Sequence, residues 1–180
     1  DRDSMIFADG AGATIIEKTD EEGGILSHNT ASYTDDEVFY LFYGKSYNPK
    51  ADEKTKYIKM RGRKVYEFAL TNVPSAMKEC LDLANTDISE IKKILIHQAN
   101  AKMDDAIVKR LYKLFNEESP EKIMPLTVDR FGNSSVATVP TMFDLIVRNK
   151  LGDHKIEKGD KIIFASVGAG MHINAMVYQY

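Results

Sequence analysis

Ile94-Leu95-Ile96-His97-Gln98-Ala99-Asn100 sets three aliphatic residues directly before a polar loop, after which apolar residues return at Met103, Ile107, Leu111 and Leu114. A short unbroken apolar run reads as a buried strand, and spacings of three and four read as one face of a helix. A strand that ends in a polar loop and feeds a helix is the unit from which α/β layered folds are assembled. The flanking segments repeat this alternation. Upstream, Val65, Ala69, Val73, Ala76, Met77, Cys80 and Ala84 form one stripe, predicting a helix over 62–85 with a kink at Pro74. Downstream, Val136, Val139, Phe143, Ile146 and Val147 predict a helix over 136–147 with these residues facing inward and Pro140 held to an early turn. Strands are then expected at 161–166 and 173–178, flanking Val167-Gly168-Ala169-Gly170.

The N-terminal third is less periodic. Residues 5–8 and 13–16 suggest a strand pair or one bent strand around Asp9-Gly10-Ala11-Gly12-Ala13, whose missing side chains permit close backbone packing. Between 20 and 56 the chain is acidic and rich in tyrosine, with one expected strand at 26–33 and no assigned chemistry. Phe39, Tyr40, Phe42 and Tyr43 suit a pocket lining or a subunit contact, but packing of a long covering loop is the simpler account. The opening Asp1-Arg2-Asp3 has neither an initiator methionine nor a signal-peptide pattern, so the chain is expected to be part of a longer protein.

Composition narrows the function classes. Of 180 residues, 43% are hydrophobic and 28% charged, too apolar a balance for a disordered chain. The longest apolar stretch, 162–171, is interrupted by Ser166, Gly168 and Gly170 and is shorter than the roughly 20 residues of a membrane-spanning helix. The 24 basic against 27 acidic residues leave a net charge of -3, with no cationic excess to bind nucleic acid. Cys80 is the single cysteine, which rules out an intramolecular disulfide and suits a reducing, cytoplasmic setting.

Several familiar sites are absent. Gly10-Ala11-Gly12 lacks the third glycine of a dinucleotide fingerprint, and neither glycine turn continues into the Lys-Ser/Thr of a phosphate loop. His28, His97, His154 and His172 lack metal-ligand spacing, so no metal is expected, and no Gly-x-Ser-x-Gly elbow occurs. Three loops remain: His97 after a strand, Asn133 in Gly132-Asn133-Ser134-Ser135 before a helix, and Gly168-Ala169-Gly170 between strands. Strand ends are where sites assemble in open α/β sheets. An imidazole, a carboxamide and a backbone N–H suit an oxygen that becomes negative during acyl chemistry. Singly, each also fits an ordinary role: a core histidine, a turn asparagine, a tight hairpin.

In combination and in this order, His97-Gln98-Ala99-Asn100, Asp129-Arg130-Phe131-Gly132-Asn133-Ser134-Ser135 and Gly168-Ala169-Gly170 resemble the signatures of the 3-oxoacyl-[acyl-carrier-protein] synthase III family. Asp9-Gly10-Ala11-Gly12-Ala13 and residues 62–69 resemble the same family in the same order. The resemblance implies the second, C-terminal half of a thiolase-like αβαβα fold spanning 1–180, with 92–180 as its catalytic region. It implies an acyltransferase of fatty acid biosynthesis that loads an acyl group from a coenzyme A thioester onto a cysteine. The enzyme then condenses it with malonyl-acyl carrier protein, releasing carbon dioxide and giving a 3-oxoacyl product. His97 falls at the family's catalytic histidine and Asn133 at its catalytic asparagine, both neutral donors to the thioester oxygen. Ala169 falls in the loop whose backbone N–H helps form the oxyanion hole, between Gly168 and Gly170. Lys102 falls where a family arginine contacts the carrier or coenzyme A.

The departures are specific. The nucleophilic cysteine belongs to the half that is not in this sequence, and Cys80 matches no catalytic position, so the chain alone is expected to be inactive. Met171-His172-Ile173-Asn174 stands where the family usually has aromatic residues and glycine, and Phe131 stands in place of a commoner histidine. At about 100° per residue, Lys102, Lys109 and Lys113 share one helix face. This basic stripe suits an acidic carrier or the phosphates of coenzyme A as well as plain solvation. No cofactor beyond the coenzyme A thioester substrate is implied, and the full-length form is expected to be a homodimer. A secondary-metabolite condensing or acyl-transfer enzyme of the same superfamily is the alternative, and a catalytically dead partner subunit is the third.

Overall fold

The computed structural model describes residues 2–180. Its apolar strand runs assemble one four-stranded sheet in the order β1 (Gly24–Ser32), β6 (His172–Gln179), β5 (Lys161–Gly168), β4 (Ile91–Ile96). β4 and β5 are parallel, while β6 is antiparallel to both its neighbours. A parallel pair requires a long crossover. The chain between β4 and β5 supplies it with α2 (Ala101–Lys113), the single turn α3 (Val128–Phe131) and α4 (Thr138–Val147). A separate antiparallel hairpin, β2 (Leu41–Lys45) with β3 (Lys56–Met60), leads directly into α1 (Gly62–Leu83).

Strand alternation sorts the side chains into two cores. Ile94, Ile96, Ile163, Ala165, Ile173, Ala175 and Val177 face the side covered by α1 and α2. Leu95 and Ile162, with Phe164 and Tyr178 beside them, face Met142 and Ile146 of α4. Phe143 of α4 meets Phe164 and Tyr178 edge-on, with ring centroids 5.4 and 6.1 Å apart. Each large apolar side chain fully withdrawn from water contributes about 1.5–3 kcal/mol, and together they hold three layers, helix on sheet on helix.

Pro74 lies inside α1, which runs through it. Proline has no N–H to give the carbonyl four residues earlier, so the oxygen of Leu70 is released from the helix ladder. Arg110 of α2 donates to that oxygen at 3.1 Å. The defect thereby becomes a tie between the two helices of the outer layer.

Four expectations are revised. Residues 5–8 and 13–16 form no strands: Arg2–Ile6 is a short 3-10 turn, and Phe7 makes only an isolated bridge to Asn133. No ladder partner reaches 13–16, where Ile15 is 94% exposed. The small-residue run does pack closely, since a Cβ on Gly10 would lie 2.8 Å from Ser134 Cβ and one on Gly12 2.5 Å from Pro140 Cγ. α4 starts at Thr138, so its buried stripe is Thr138, Met142 and Ile146, and Val136 is 89% exposed. Val147 is also exposed, while Val139 and Phe143 are half-buried. Leu114 caps α2 and is exposed instead of buried.

Candidate functional site

The four residues after β4 divide the work of building a site. His97 N–H continues the parallel ladder to Ala165 O at 2.8 Å, which places its ring at the C-terminal end of the strand. Asn100 caps α2, its Oδ1 accepting from Met103 N at 2.9 Å and satisfying one of the helix's free N–H groups. Ala99 lines the cavity beside His97. Gln98 is fully buried and bonded at both ends of its amide. Its Nε2 donates to Pro125 O at 2.7 Å, and its Oε1 accepts from Thr127 N at 2.8 Å and Val128 N at 3.0 Å, the amides that open α3. The His97 loop and the loop that delivers Asn133 are thus clamped together.

Asn133 follows Gly132, whose φ of +65° turns the chain sharply out of α3. Its backbone is held by Ala8 N–H, which donates to Asn133 O at 2.8 Å. Its Oδ1 accepts from Ser135 N at 2.9 Å, leaving Nδ2 as the free end of a buried carboxamide. His97 Nδ1 lies 3.2 Å from Ser135 O, which fixes the ring and leaves Nε2 free. Burial lowers the His97 pKa, with the Ser135 contact opposing it, so the ring is neutral at pH 7.

His97, Asn133, Gly168 and Ala169 line one cavity of about 750 Å³. Gly170 is adjacent, in the left-handed region at φ +76°, with the His172 ring against the place a Cβ would occupy. Lys102, Lys109 and Lys113 lie outside the cavity on the exposed face of α2, and Lys109 pairs with Asp105 at 2.7 Å. Cys80 is fully buried in the outer core, with its thiol pushed up to about 11 by burial, and takes no part in the cavity.

Part of the lining comes from segments to which the sequence reading gave no chemistry. Phe42 and Tyr43 of β2 and Ile58 and Met60 of β3 form one wall. The aromatic cluster was the available signal, since a pocket lining was among its readings. Thr30, His172 and Asn174 form part of the floor.

Three packed layers with the site at strand ends define the class: half of a thiolase-like fold. The 3-oxoacyl-[acyl-carrier-protein] synthase III of Thermus thermophilus superposes with a TM-score of 0.73 at 25% identity, over 92% of this chain and 49% of that one. The priming β-ketosynthase of the R1128 polyketide pathway superposes with a TM-score of 0.71 at 22% identity, over 87% and 45%. The model of the 3-oxoacyl-[acyl-carrier-protein] synthase III C-terminal region matches residues 81–180, and the chain belongs to that family. Its sequence is 33% identical to the β-ketoacyl-[acyl-carrier-protein] synthase III of Erythrobacter litoralis, over 98% of this chain and 52% of that protein. The Aliivibrio fischeri protein of the same name is also 33% identical, over 94% and 50%. The chain therefore spans about half the length of the curated relatives it matches.

Proposed function

We propose that residues 1–180 are the C-terminal half of a decarboxylating condensing enzyme of fatty acid biosynthesis, with 92–180 as its catalytic region. It joins an acyl group, loaded from coenzyme A onto a cysteine of the other half, to malonyl-acyl carrier protein. The observation that carries this reading is the convergence of His97 and Asn133 on one cavity, each held by Ser135 and each with a free nitrogen. When the malonyl carboxylate leaves as carbon dioxide, the electron pair of the broken C–C bond moves onto the thioester oxygen as an enolate. Asn133 Nδ2 donates to that oxygen, and Ala169 N–H serves the oxyanion of acyl transfer. Ser135 O beside His97 Nδ1 favours the ring proton there at rest. A charge-assisted bond is roughly twice as strong as a neutral one, so the tautomer that donates from Nε2 gains as the enolate forms.

Lys102, Lys109 and Lys113 face the acidic carrier, and Gly168 and Gly170 shape the turn that presents Ala169. The family resemblance and the lone thiol support a cytoplasmic homodimer. In the complete polypeptide, His97→Ala and Asn133→Ala should each lower carbon dioxide release by about 10²-fold or more, the scale for loss of one such donor. Acyl-enzyme formation should survive. Measuring the two half-reactions separately tests the assignment, and a variant that decarboxylates normally but resists acylation refutes it.

A further inference from the structure

One face of the main sheet carries a polar row that leads away from His97. Ser166 of β5 pairs with Asn174 of β6, and Asn174 pairs with Thr30 of β1. Ile96 of β4 pairs with Ala165, which places His97 beside Ser166 at the head of the row. Ile94, Ile96 and Ala165 point to the outer core, so by alternation His97, Ser166, Asn174 and Thr30 all point to the opposite face. All four line the cavity. At about 4.8 Å between strands, Asn174 lies two strands from His97, or roughly 10 Å along the sheet.

The same face turns apolar toward α4. Ile162 and Tyr178 sit under α4, and in the row between, Phe164 pairs with Met176 and Met176 with His28 of β1, which also lines the cavity. Polarity on this face thus gathers at the cavity and is absent under α4. The row is also oriented. Thr30 Oγ1 donates to Asn174 Oδ1 at 3.0 Å, which turns the Asn174 amide so that Nδ2 is its open end. One row on, Ser32 Oγ lies 2.6 Å from His172 Nδ1, clamping that ring against Gly170 as a wall. What this row presents to the cavity is a hydroxyl at Ser166 and an N–H₂ donor at Asn174.

We propose that this row is a specificity subsite for an acyl chain carrying a hydrogen-bond-accepting oxygen, a hydroxyl or keto group. The proposal rests on the condensing-enzyme reading above and names the acyl class that the site selects. An acyl group whose carbonyl oxygen is taken by Ala169 N–H enters the same cavity at the head of the row, so an oxygen on the nearer part of its chain meets Ser166 and one further along meets Asn174. Asn174 is exposed and Ser166 half-buried in the open cavity, so an unsubstituted alkyl chain lying over them strips their water without pairing them, and a polar group so covered discriminates against the analogue lacking its partner.

The test uses the complete polypeptide and matched coenzyme A thioesters: butanoyl against 3-hydroxybutanoyl, and octanoyl against 5-hydroxy- and 7-hydroxyoctanoyl. Non-hydrolysable thioether analogues of the same pairs provide dissociation constants by calorimetry. At least one oxygenated member should exceed its alkyl partner by 10-fold or more in kcat/KM and in affinity. Ser166→Ala should bring a ratio favoured through the nearer oxygen to within about 2-fold of unity, and Asn174→Ala or the near-isosteric Thr30→Val should do so for the further one; the several variants guard against one that fails to fold. Equal or alkyl-favouring ratios throughout overturn the subsite, as does a favoured ratio that none of the three variants changes. Failure of every thioester to be turned over, with the binding preference intact, would instead refute the condensing-enzyme reading and leave the subsite standing.

Discussion

Asp104 is 0% exposed, and neither of its carboxylate oxygens has a hydrogen-bond partner among the described residues. It sits in the first turn of α2 but on its buried stripe, with Met103, Ile107, Val108 and Leu111. Burial raises its pKa from 3.8 to about 7, against a smaller opposing pull from the Ala99 backbone N–H. The folded state therefore holds a proton that the unfolded chain releases near pH 4. The stability tied to that proton is fully present below pH 4, declines as pH rises from about 4 to about 7, and is gone above it. At about 1.36 kcal/mol per pKa unit, a rise of about 3 units corresponds to about 4 kcal/mol lost by pH 8. Asp104→Leu removes the ionisable group and puts a larger apolar side chain of the same branching into an apolar stripe, any packing cost being the same at every pH. Urea unfolding of the two proteins at pH 4, 6 and 8 should show the leucine variant gaining on wild type by about 3–5 kcal/mol across that range. A stability difference independent of pH, or a carboxyl resonance of Asp104 that titrates below pH 5, would refute the reasoning.

Arg110→Ala should destabilise the chain by about 1 kcal/mol by orphaning Leu70 O. In a Pro74→Ala background the restored N–H takes that oxygen, so a double-mutant cycle in urea should show coupling, and strict additivity would dissolve the tie. The 180-residue chain incubated alone with an acyl-coenzyme A should form no acyl-enzyme by intact-mass measurement, because its single thiol is buried and held at about 11; an adduct at Cys80 would contradict this. Lys102→Glu with Lys109→Glu in the complete polypeptide should raise KM for the carrier substrate, the second substitution also setting a like charge beside Asp105. Wild-type KM should rise with salt, and carrier kinetics indifferent to both would reduce the stripe to a solvated face.

Legibility in the sequence followed the length and purity of each pattern. The α1 stripe, sustained across six turns, predicted a helix that ends two residues earlier, at Leu83. Strands β1, β5 and β6 were anticipated within two residues at each end, β5 from its continuous apolar run Ile162–Ala165 and β6 from the glycine turn that precedes it. The β2–β3 hairpin was missed: Leu41, Phe42 and Tyr43 are apolar in succession and all three line the cavity, so no period of two marks the strand. The phase of α4 was misjudged because Val136, which lies at helical spacing from Val147, belongs to the 3-10 turn Ser135–Ala137 before the helix, whose own buried stripe is Thr138, Met142 and Ile146. Asp104 carried no warning, since an acidic residue in a first helical turn is ordinary for the helix dipole; only the packing of α2 reveals it as buried.

The candidate site divides the same way, and Gln98 shows why. His97 stands out as a polar residue at a strand end and Asn133 as a turn residue before a helix, and family resemblance supplies a role for each. Neither clue says that the two meet. That depends on a third side chain which reaches across, saturating its amide on Pro125, Thr127 and Val128. A buried amide with both ends satisfied is costly to disturb, since removing it leaves two loop N–H groups and a carbonyl unpaired. The spacing between His97 and Asn133 is therefore a tertiary quantity, set by a residue whose own sequence context is only a polar position next to a histidine. Gln98→Leu should consequently act on both half-sites at once. Carbon dioxide release should fall with little change in KM for the acyl donor, because the donors remain present but no longer share an oxygen. The isosteric Gln98→Glu keeps the acceptor for Thr127 and Val128 while losing the bond to Pro125, and should fall between the leucine variant and wild type. Rank order in that series, read by carbon dioxide release at matched fold content, separates positioning of the two donors from general loss of structure, and a glutamate variant no better than leucine would remove the clamp from the argument.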